Sequence, residues 1–352
     1  MTHGRATSAD VARLAGVSRT TVSVVLTERQ DIHISPATRQ RVFDAAEHLD
    51  YHPHSPARQL AAGTSLTIGL VLRQSSEQVA GDALLGETLR GVTAAARAAG
   101  YRVLVEALPP GNGTYAEIVR SRRTDGLIVS GPRADDGALA DLVRDDFPII
   151  LQGSLPELDV PSVDVDNRAG ARAAVELLVR QGHRRIGCIT NAPLAYTAAA
   201  ERLTGYREAL EAAGFDYDPD RVVEAVFDAA SGHRAMQLLL GRVPDCSAVF
   251  VASDVVAFGA IGALRATGRR VPSDISIIAF DDIPLAAYFD PPLTTVRIPA
   301  FELGQVAGEA LLDRVIGRPV AARTLLPTKL IVRASAAPPP GTARAVGSLN
   351  GH

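Results

Sequence analysis

The 352 residues predict an all-α helix-turn-helix head piece followed by an α/β core of two tandem parallel-sheet lobes. Three observations carry this. Residues 7–27 read as two short helices joined by a glycine-containing turn. A second pair of residues, Ser35-Pro36, is a cap followed by a first-turn proline and opens a third helix. From Leu66 onward, short apolar runs alternate with longer amphipathic stretches, and the alternation occurs twice.

In the head, Thr7 N-caps the first helix, with Asp10 as a carboxylate near its positive end. Val11, Ala12 and Ala15 form its inward stripe, and Gly16 supplies the positive φ that ends it. Ser18 caps the second helix, where Val22, Val25 and Leu26 face inward. That phase leaves Arg19, Thr20, Ser23 and Val24 on the opposite side, free to enter a DNA major groove. Val42, Ala46 and Leu49 are the apolar stripe of the third helix. An ordinary three-helix bundle is the competing reading.

Ser55-Pro56 repeats the cap-and-proline signal before Ala57-Arg-Gln-Leu60-Ala-Ala and a Gly63 stop. A helix of this length does not stand alone in water, so it is expected to be ordered only when something holds it. Beyond it, strands are expected at Thr67–Leu72, Arg102–Ala107, Gly126–Ser130, Pro148–Leu151 and Ser162–Val165. A second series follows at Arg185–Thr190, Val222–Val226, Ala248–Val251 and Ile275–Phe280. Helices are expected at about 84–99, 114–122, 137–145, 169–181, 198–213, 231–240, 254–267 and 300–316, with a last strand at about 323–333. Open parallel sheets bind ligands beyond their strands' carboxyl ends, so the cleft between lobes is the expected ligand site.

The organisation is then a head at 1–54, a hinge helix at 55–65 and a core at 66–335, with a tail at 336–352 rich in Pro, Gly and Ala and expected to be disordered. The first lobe takes about 66–164 plus 298–322, the second about 165–297 plus 323–335. Nothing approaches eighteen consecutive apolar residues, and no charged-then-apolar leader opens the chain, so a soluble, cytoplasmic protein without membrane contact is expected. Cys188 and Cys246 lie far apart in apolar runs and suit buried reduced thiols. The net charge is −3, yet residues 1–62 hold seven arginines against six acids. A head at +1 implies weak nonspecific DNA binding and reliance on dimerisation.

The motifs Asp10-Val-Ala-x-x-Ala-Gly-Val-Ser18, Thr21-Val-Ser23, Ser35-x-x-Thr38-x-x-x-Val42 and Ala57-x-x-Leu60-Ala61 stand in the head and hinge. Gly182-His-Arg-x-Ile186, Arg202-x-x-Gly-Tyr206, Ser253-Asp254, Phe280-Asp-Asp282 and Pro292-Leu-Thr-Thr295 follow in the core. In this order they resemble the lactose- and galactose-repressor family of bacterial transcription regulators over about residues 6–334. The resemblance implies a homodimeric repressor on a near-palindromic double-stranded operator, with a core like periplasmic binding proteins. Its DNA contacts map onto Thr7, Ser18, Arg19, Thr20, Ser23, Val24, Thr38, Ala57, Arg58 and Leu60. Arg19 and Thr20 stand where base edges are read, and Val24 stands where relatives often carry an arginine, leaving an apolar surface for a thymine methyl. Leu60 matches the leucine inserted in the minor groove, and Ala57 keeps paired hinge helices close.

For the effector, the resemblance implies a small molecule, a sugar or sugar derivative, held by Arg202, Asp281, Phe227 and Ser253, with Asp166 as a further candidate at the lobe crossover. A guanidinium and a carboxylate suit paired hydroxyls of a pyranose. Structural capping or interlobe pairing is the alternative for Asp281 and Asp166. The loop Arg73–Asp82 lacks the stretch common in relatives, so ligand identity does not carry over. Two rivals are a sugar-binding receptor without operator function and a nucleotide-cofactor enzyme. The second rests on Gly111-Asn-Gly113-Thr-Tyr-Ala116, but Pro109-Pro110 spoil the tight turn that motif needs. No catalytic, metal or cofactor site is expected.

Overall fold

Three capped helices build the head. In the computed structural model, which describes residues 6–26, 32–51, 64–109, 111 and 114–339, these are Ser8–Ala15 (α1), Arg19–Leu26 (α2) and Pro36–His48 (α3). Thr7 and Asp10 form a reciprocal capping box: the Asp10 carboxylate accepts from the Thr7 N–H at 3.0 Å and from its hydroxyl at 2.6 Å. Gly16 ends α1 at φ 65°, with open space around the missing Cβ, so it is backbone conformation that requires glycine there. Ser18 and Ser35 cap α2 and α3 by accepting the N–H of Thr21 and Thr38. Val11, Ala12, Ala15, Val22, Val25, Val42, Ala45 and Ala46 close one small apolar core.

The chain divides into two compact units, Met1–Leu66 and Thr67–His352. The second unit holds two six-stranded sheets. The first joins β1 (Thr67–Leu72), β2 (Arg102–Ala107), β3 (Gly126–Ser130), β4 (Ile149–Gln152), β5 (Ser162–Val165) and β11 (Arg323–Leu326) in the order β11-β5-β4-β3-β1-β2, all parallel. The second joins β6 (Ile186–Ile189), β7 (Val222–Val223), β8 (Ala248–Val251), β9 (Ser276–Asp281), β10 (Thr294–Arg297) and β12 (Lys329–Ile331) in the order β12-β10-β9-β8-β6-β7. Only β12 runs antiparallel, against β10. The central strands β1, β3, β6, β8 and β9 are largely apolar and buried, as sheets covered on both faces must be, whereas the edge strands β2, β11 and β12 are partly exposed.

Helix pairs covering the sheets approach until backbones touch. A Cβ on Gly259 would lie 1.7 Å from the Ala229 carbonyl oxygen, and one on Gly232 would lie 2.0 Å from that of Val256. These two glycines therefore let Ala229–Arg242 and Asp254–Ala266 pack at a distance that any side chain would forbid.

Several expectations need correction. The last strand, read as one run at about 323–333 in the second lobe, is two strands in two sheets. Pro327 lacks the N–H a continuing ladder needs, and the chain crosses between lobes there. Val165 likewise pairs with Leu326 in the first sheet. β10 and a short helix at Ser76–Gly81 were not anticipated. The tail expected from Ala336 starts ordered: Ala337 accepts a hydrogen bond from the Ser276 hydroxyl and donates one back, and its carbonyl lies 2.9 Å from His183 Nε2.

Candidate functional site

On α2, Arg19, Thr20 and Ser23 are exposed along one face, as helical phase demands. Val24 is not: it is 6 % exposed, although its helical phase points away from Val22 and it lies outside the apolar cluster of the head. Phase gives a direction relative to the core, while accessibility also depends on what packs over the far side. With its isopropyl group covered, Val24 presents little surface to a thymine methyl in this structure. The hydroxyls at the helix starts are engaged locally. Thr7 donates its proton to Asp10, Ser18 Oγ lies 2.9 Å from Thr21 Oγ1, and Thr38 Oγ1 lies 2.9 Å from Ser35 Oγ. Ala57, Arg58 and Leu60, with the hinge helix, lie outside the described residues.

In the core, the carboxyl ends of both sheets face a cleft with two connected compartments of about 820 and 520 Å³, including space open to solvent. Asp82, Leu84, Asn191, Arg202 and Phe227 line both. Arg202, on the helix Thr197–Ala212, is the centrepiece. Its Nε donates to Asn167 Oδ1 at 2.9 Å, and its Nη1 donates to the Ala252 carbonyl at 2.6 Å and to Asp281 Oδ1 at 3.4 Å. The guanidinium stacks over Phe280 at 3.9 Å. Burial lowers its pKa, against the opposing pull of Asp281. Asp281 closes β9 at φ 121°, a backbone region that side chains rarely adopt, and such strain concentrates at functional sites. Burial raises the Asp281 pKa, and Arg202 pulls it back down.

Phe227 and Ser253 both line this cleft, as expected. Phe227 meets Tyr196 edge to face at 4.9 Å. Along one margin the lobes touch: Ala134 N–H donates to the Ala195 carbonyl at 2.8 Å, the Arg133 guanidinium lies over the Tyr196 ring at 4.6 Å, and the Tyr196 hydroxyl donates to the Arg73 carbonyl. Asp254, the neighbour of Ser253, is structural: its carboxylate accepts from the Ile283 N–H at 2.9 Å and the Thr295 hydroxyl at 2.6 Å.

Asp166 is the second correction. It caps the helix Asn167–Arg180 by accepting from the Ala169 N–H at 2.8 Å, and it lines a different surface groove beside Arg168 and Arg172. Asp164, two residues earlier and still within β5, lines the cleft, whereas the strand ends at Val165 and Asp166 already belongs to the helix start. Sequence reasoning also missed Gln152, Asn191 and Asp82. The signal was present for two of these: Gln152 and Asn191 directly follow the ends of expected strands, where α/β sheets place ligand contacts.

Among the described residues no group of three His, Cys, Asp or Glu side chains could hold a metal, and no helix is long and apolar enough to cross a membrane. Comparison with known proteins places this geometry. Residues 7–54 match the profile described as bacterial regulatory proteins, lacI family, and residues 158–336 match a periplasmic binding protein-like domain. The HTH-type transcriptional regulator CelR of Thermobifida fusca is 36 % identical over 333 residues, covering 92 % of this chain and 96 % of its own. The chain belongs to the lacI family of bacterial regulatory proteins. It is accordingly a DNA-binding transcriptional regulator and not an enzyme. Two lacI-family structures match the whole architecture. One is a CelR–cellobiose complex, with a TM-score of 0.72 and 35 % identity, covering 94 % of this chain and 100 % of that one. The other is a lac repressor dimer bound to operator and an anti-inducer, with a TM-score of 0.82 and 30 % identity, covering 95 % and 100 %.

Proposed function

We propose that this protein is a cytoplasmic, homodimeric repressor whose heads each read half of a near-palindromic operator. A sugar or sugar derivative in the interlobe cleft sets its grip. The observation that carries this is the presence, in one chain, of an exposed Arg19–Thr20–Ser23 helix face and a ligand-sized cleft built around Arg202. The similar CelR bound to cellobiose and the similar lac repressor dimer on operator support both halves of the reading.

Arg19 takes a base edge, where one bidentate pairing with guanine gives roughly 1–3 kcal/mol of discrimination. Thr20 stands beside it at the base edges and Ser23 on the same exposed face, while Ser18, Thr7 and Thr38 set the helix starts against the phosphates. Residues 55–65 form the hinge, with Leu60 wedged into the minor groove beside Ala57 and Arg58. In the cleft, Arg202 and Asp281 address ligand hydroxyls, Phe227 packs against a ring face, and Ser253 adds one hydroxyl contact. Ligand binding changes the relation of the first lobes in the dimer, and the two sites couple by about 1–3 kcal/mol.

Selection of duplexes from a random pool by the full-length protein tests the proposal. A near-palindromic sequence should be enriched, and Leu60→Ala should weaken binding to it while sparing nonspecific DNA. Absence of sequence preference, with or without cellobiose or other sugars, refutes the operator role.

A further inference from the structure

The first-lobe wall of the cleft carries a buried acceptor with nothing to accept from. Asp164, at the carboxyl end of β5, is 5 % exposed. Its Oδ1 accepts from the Val165 N–H at 2.7 Å and from Asn167 Nδ2 at 3.2 Å, while Oδ2 has no hydrogen-bond partner and its residue lines the cleft. Asn191 Oδ1 and Gln152 Oε1, in the same compartment, are also unpartnered. Turning either amide over exchanges an acceptor for a donor, so these two adapt to what binds. A carboxylate has no such freedom. Among the described residues lining the cleft, Asp82, Asp164 and Asp281 face a single guanidinium, Arg202, which is already engaged by Asp281.

We propose that Asp164 is a specificity-determining contact: its open Oδ2 accepts a hydrogen bond from a hydroxyl of a neutral, hydroxyl-rich effector, and its charge turns away phosphorylated or carboxylated relatives of that effector. This rests on the cleft being the effector site. A buried polar atom without a partner is costly, so a donor arriving there recovers free energy that an apolar ligand cannot. A phosphate oxygen brings no proton and adds like charge in a medium that screens poorly. Burial lifts the Asp164 pKa to about 7, helped by Glu201 and opposed by the Val165 N–H, Arg202 and Arg323. Only the ionised form has two open lone pairs on Oδ2, so effector affinity rises as pH passes upward through that value.

Thermal-shift and calorimetric titrations of the full-length protein test this. The panel contains cellobiose, ribose, glucose and their phosphate esters or acid forms. Every compound that stabilises the wild type should be neutral. Asp164→Asn keeps the shape and the Oδ1 contact, and it should bind those compounds roughly tenfold to a hundredfold more weakly. It should also lose the rise in affinity that Asp164 contributes near neutral pH, a change that a purely structural role would not produce. Asp164→Glu, which keeps the charge, should still reject the phosphorylated forms. Unchanged affinity and pH profile in Asp164→Asn, or a phosphorylated sugar bound more tightly than its neutral parent by the wild type, overturns the proposal while leaving the cleft as the effector site. No response to any member of the panel overturns the reading of the cleft as a sugar site, and this proposal falls with it.

Discussion

Replacing Arg202 with methionine asks whether this guanidinium is what allows Asp281 to be buried. Their side chains are only 7 % and 9 % exposed, so water does little to weaken the pair. Removing one member of a buried pair costs about 3–5 kcal/mol, because the other charge stays behind in poor solvent. Methionine keeps part of the contact with Phe280, so most of the loss falls on Asp281, Asn167 and the Ala252 carbonyl. Asp281 can escape by binding a proton. Its pKa already stands above the ordinary 3.8 through burial, and loss of Arg202 raises it further. A carboxyl whose folded pKa is raised contributes stability that is fully present below the unfolded value and lost as pH climbs through the folded one. Arg202→Met should therefore trail the wild type by less at about pH 5 than at about pH 8. Urea titration followed by far-UV circular dichroism measures the gap. Adding Asp281→Asn should recover much of the loss at the higher pH. An equal deficit at both pH values, or no recovery in the double variant, would refute the assignment of Arg202 as counter-charge.

Further outcomes follow from the same geometry. Gly259→Ala should destabilise the core by about 1–3 kcal/mol or more, since the new methyl meets the Ala229 carbonyl. Gly241→Ala, in the neighbouring helix with open space around it, should stabilise by up to about 1 kcal/mol, and thermal unfolding of both variants checks the contrast. Ser335→Ala should cost about 1–3 kcal/mol in chemical denaturation, because Ser335 Oγ accepts from the buried Thr294 N–H at 2.8 Å and donates to the Ile277 carbonyl at 2.7 Å. His183 has its pKa pushed below 6.5 by burial, so its contribution is present above 6.5 and lost as pH falls toward the folded value. His183→Gln should flatten that part of the melting-temperature profile. Thr7→Ala should lower the stability of the head by about 1 kcal/mol through loss of the capping box, measured by helical signal on heating.

The elements most legible in the sequence were those whose periodicity and caps agree. Thr67–Leu72, Arg102–Ala107, Gly126–Ser130, Ser162–Val165 and Ala248–Val251 stand where apolar runs placed them, and Thr7, Ser18 and Ser35 cap as their types and positions required. The strand Thr294–Arg297 was illegible because four residues with two threonines and an arginine make no apolar run. The threonines are fully buried, with Thr295 donating to Asp254 and Thr294 Oγ1 accepting from the Arg333 N–H, partners remote in sequence. The helix Ser76–Gly81 buries no residue and so leaves no apolar stripe to find. Arg202, Asp281, Phe227 and Ser253 came from motif resemblance, and the cleft contains them. Asp166 failed because spacing alone does not tell a helix cap from a cleft wall two residues away. The exposure expected of Val24 differs for a related reason: angular position describes one helix, whereas burial is a property of everything around it.

The path of the chain through the two sheets has a consequence for its birth on the ribosome. The first sheet closes only with Arg323–Leu326 and the second only with Lys329–Ile331, both later in the chain than the strands they join. Neither lobe can acquire its last strand until residues 323–331 have been translated, whereas the three-helix unit has every buried residue of its apolar core by Ala46. During synthesis the part that binds nucleic acid can therefore mature well before the effector-controlled core, whose sheets wait for about 280 further residues.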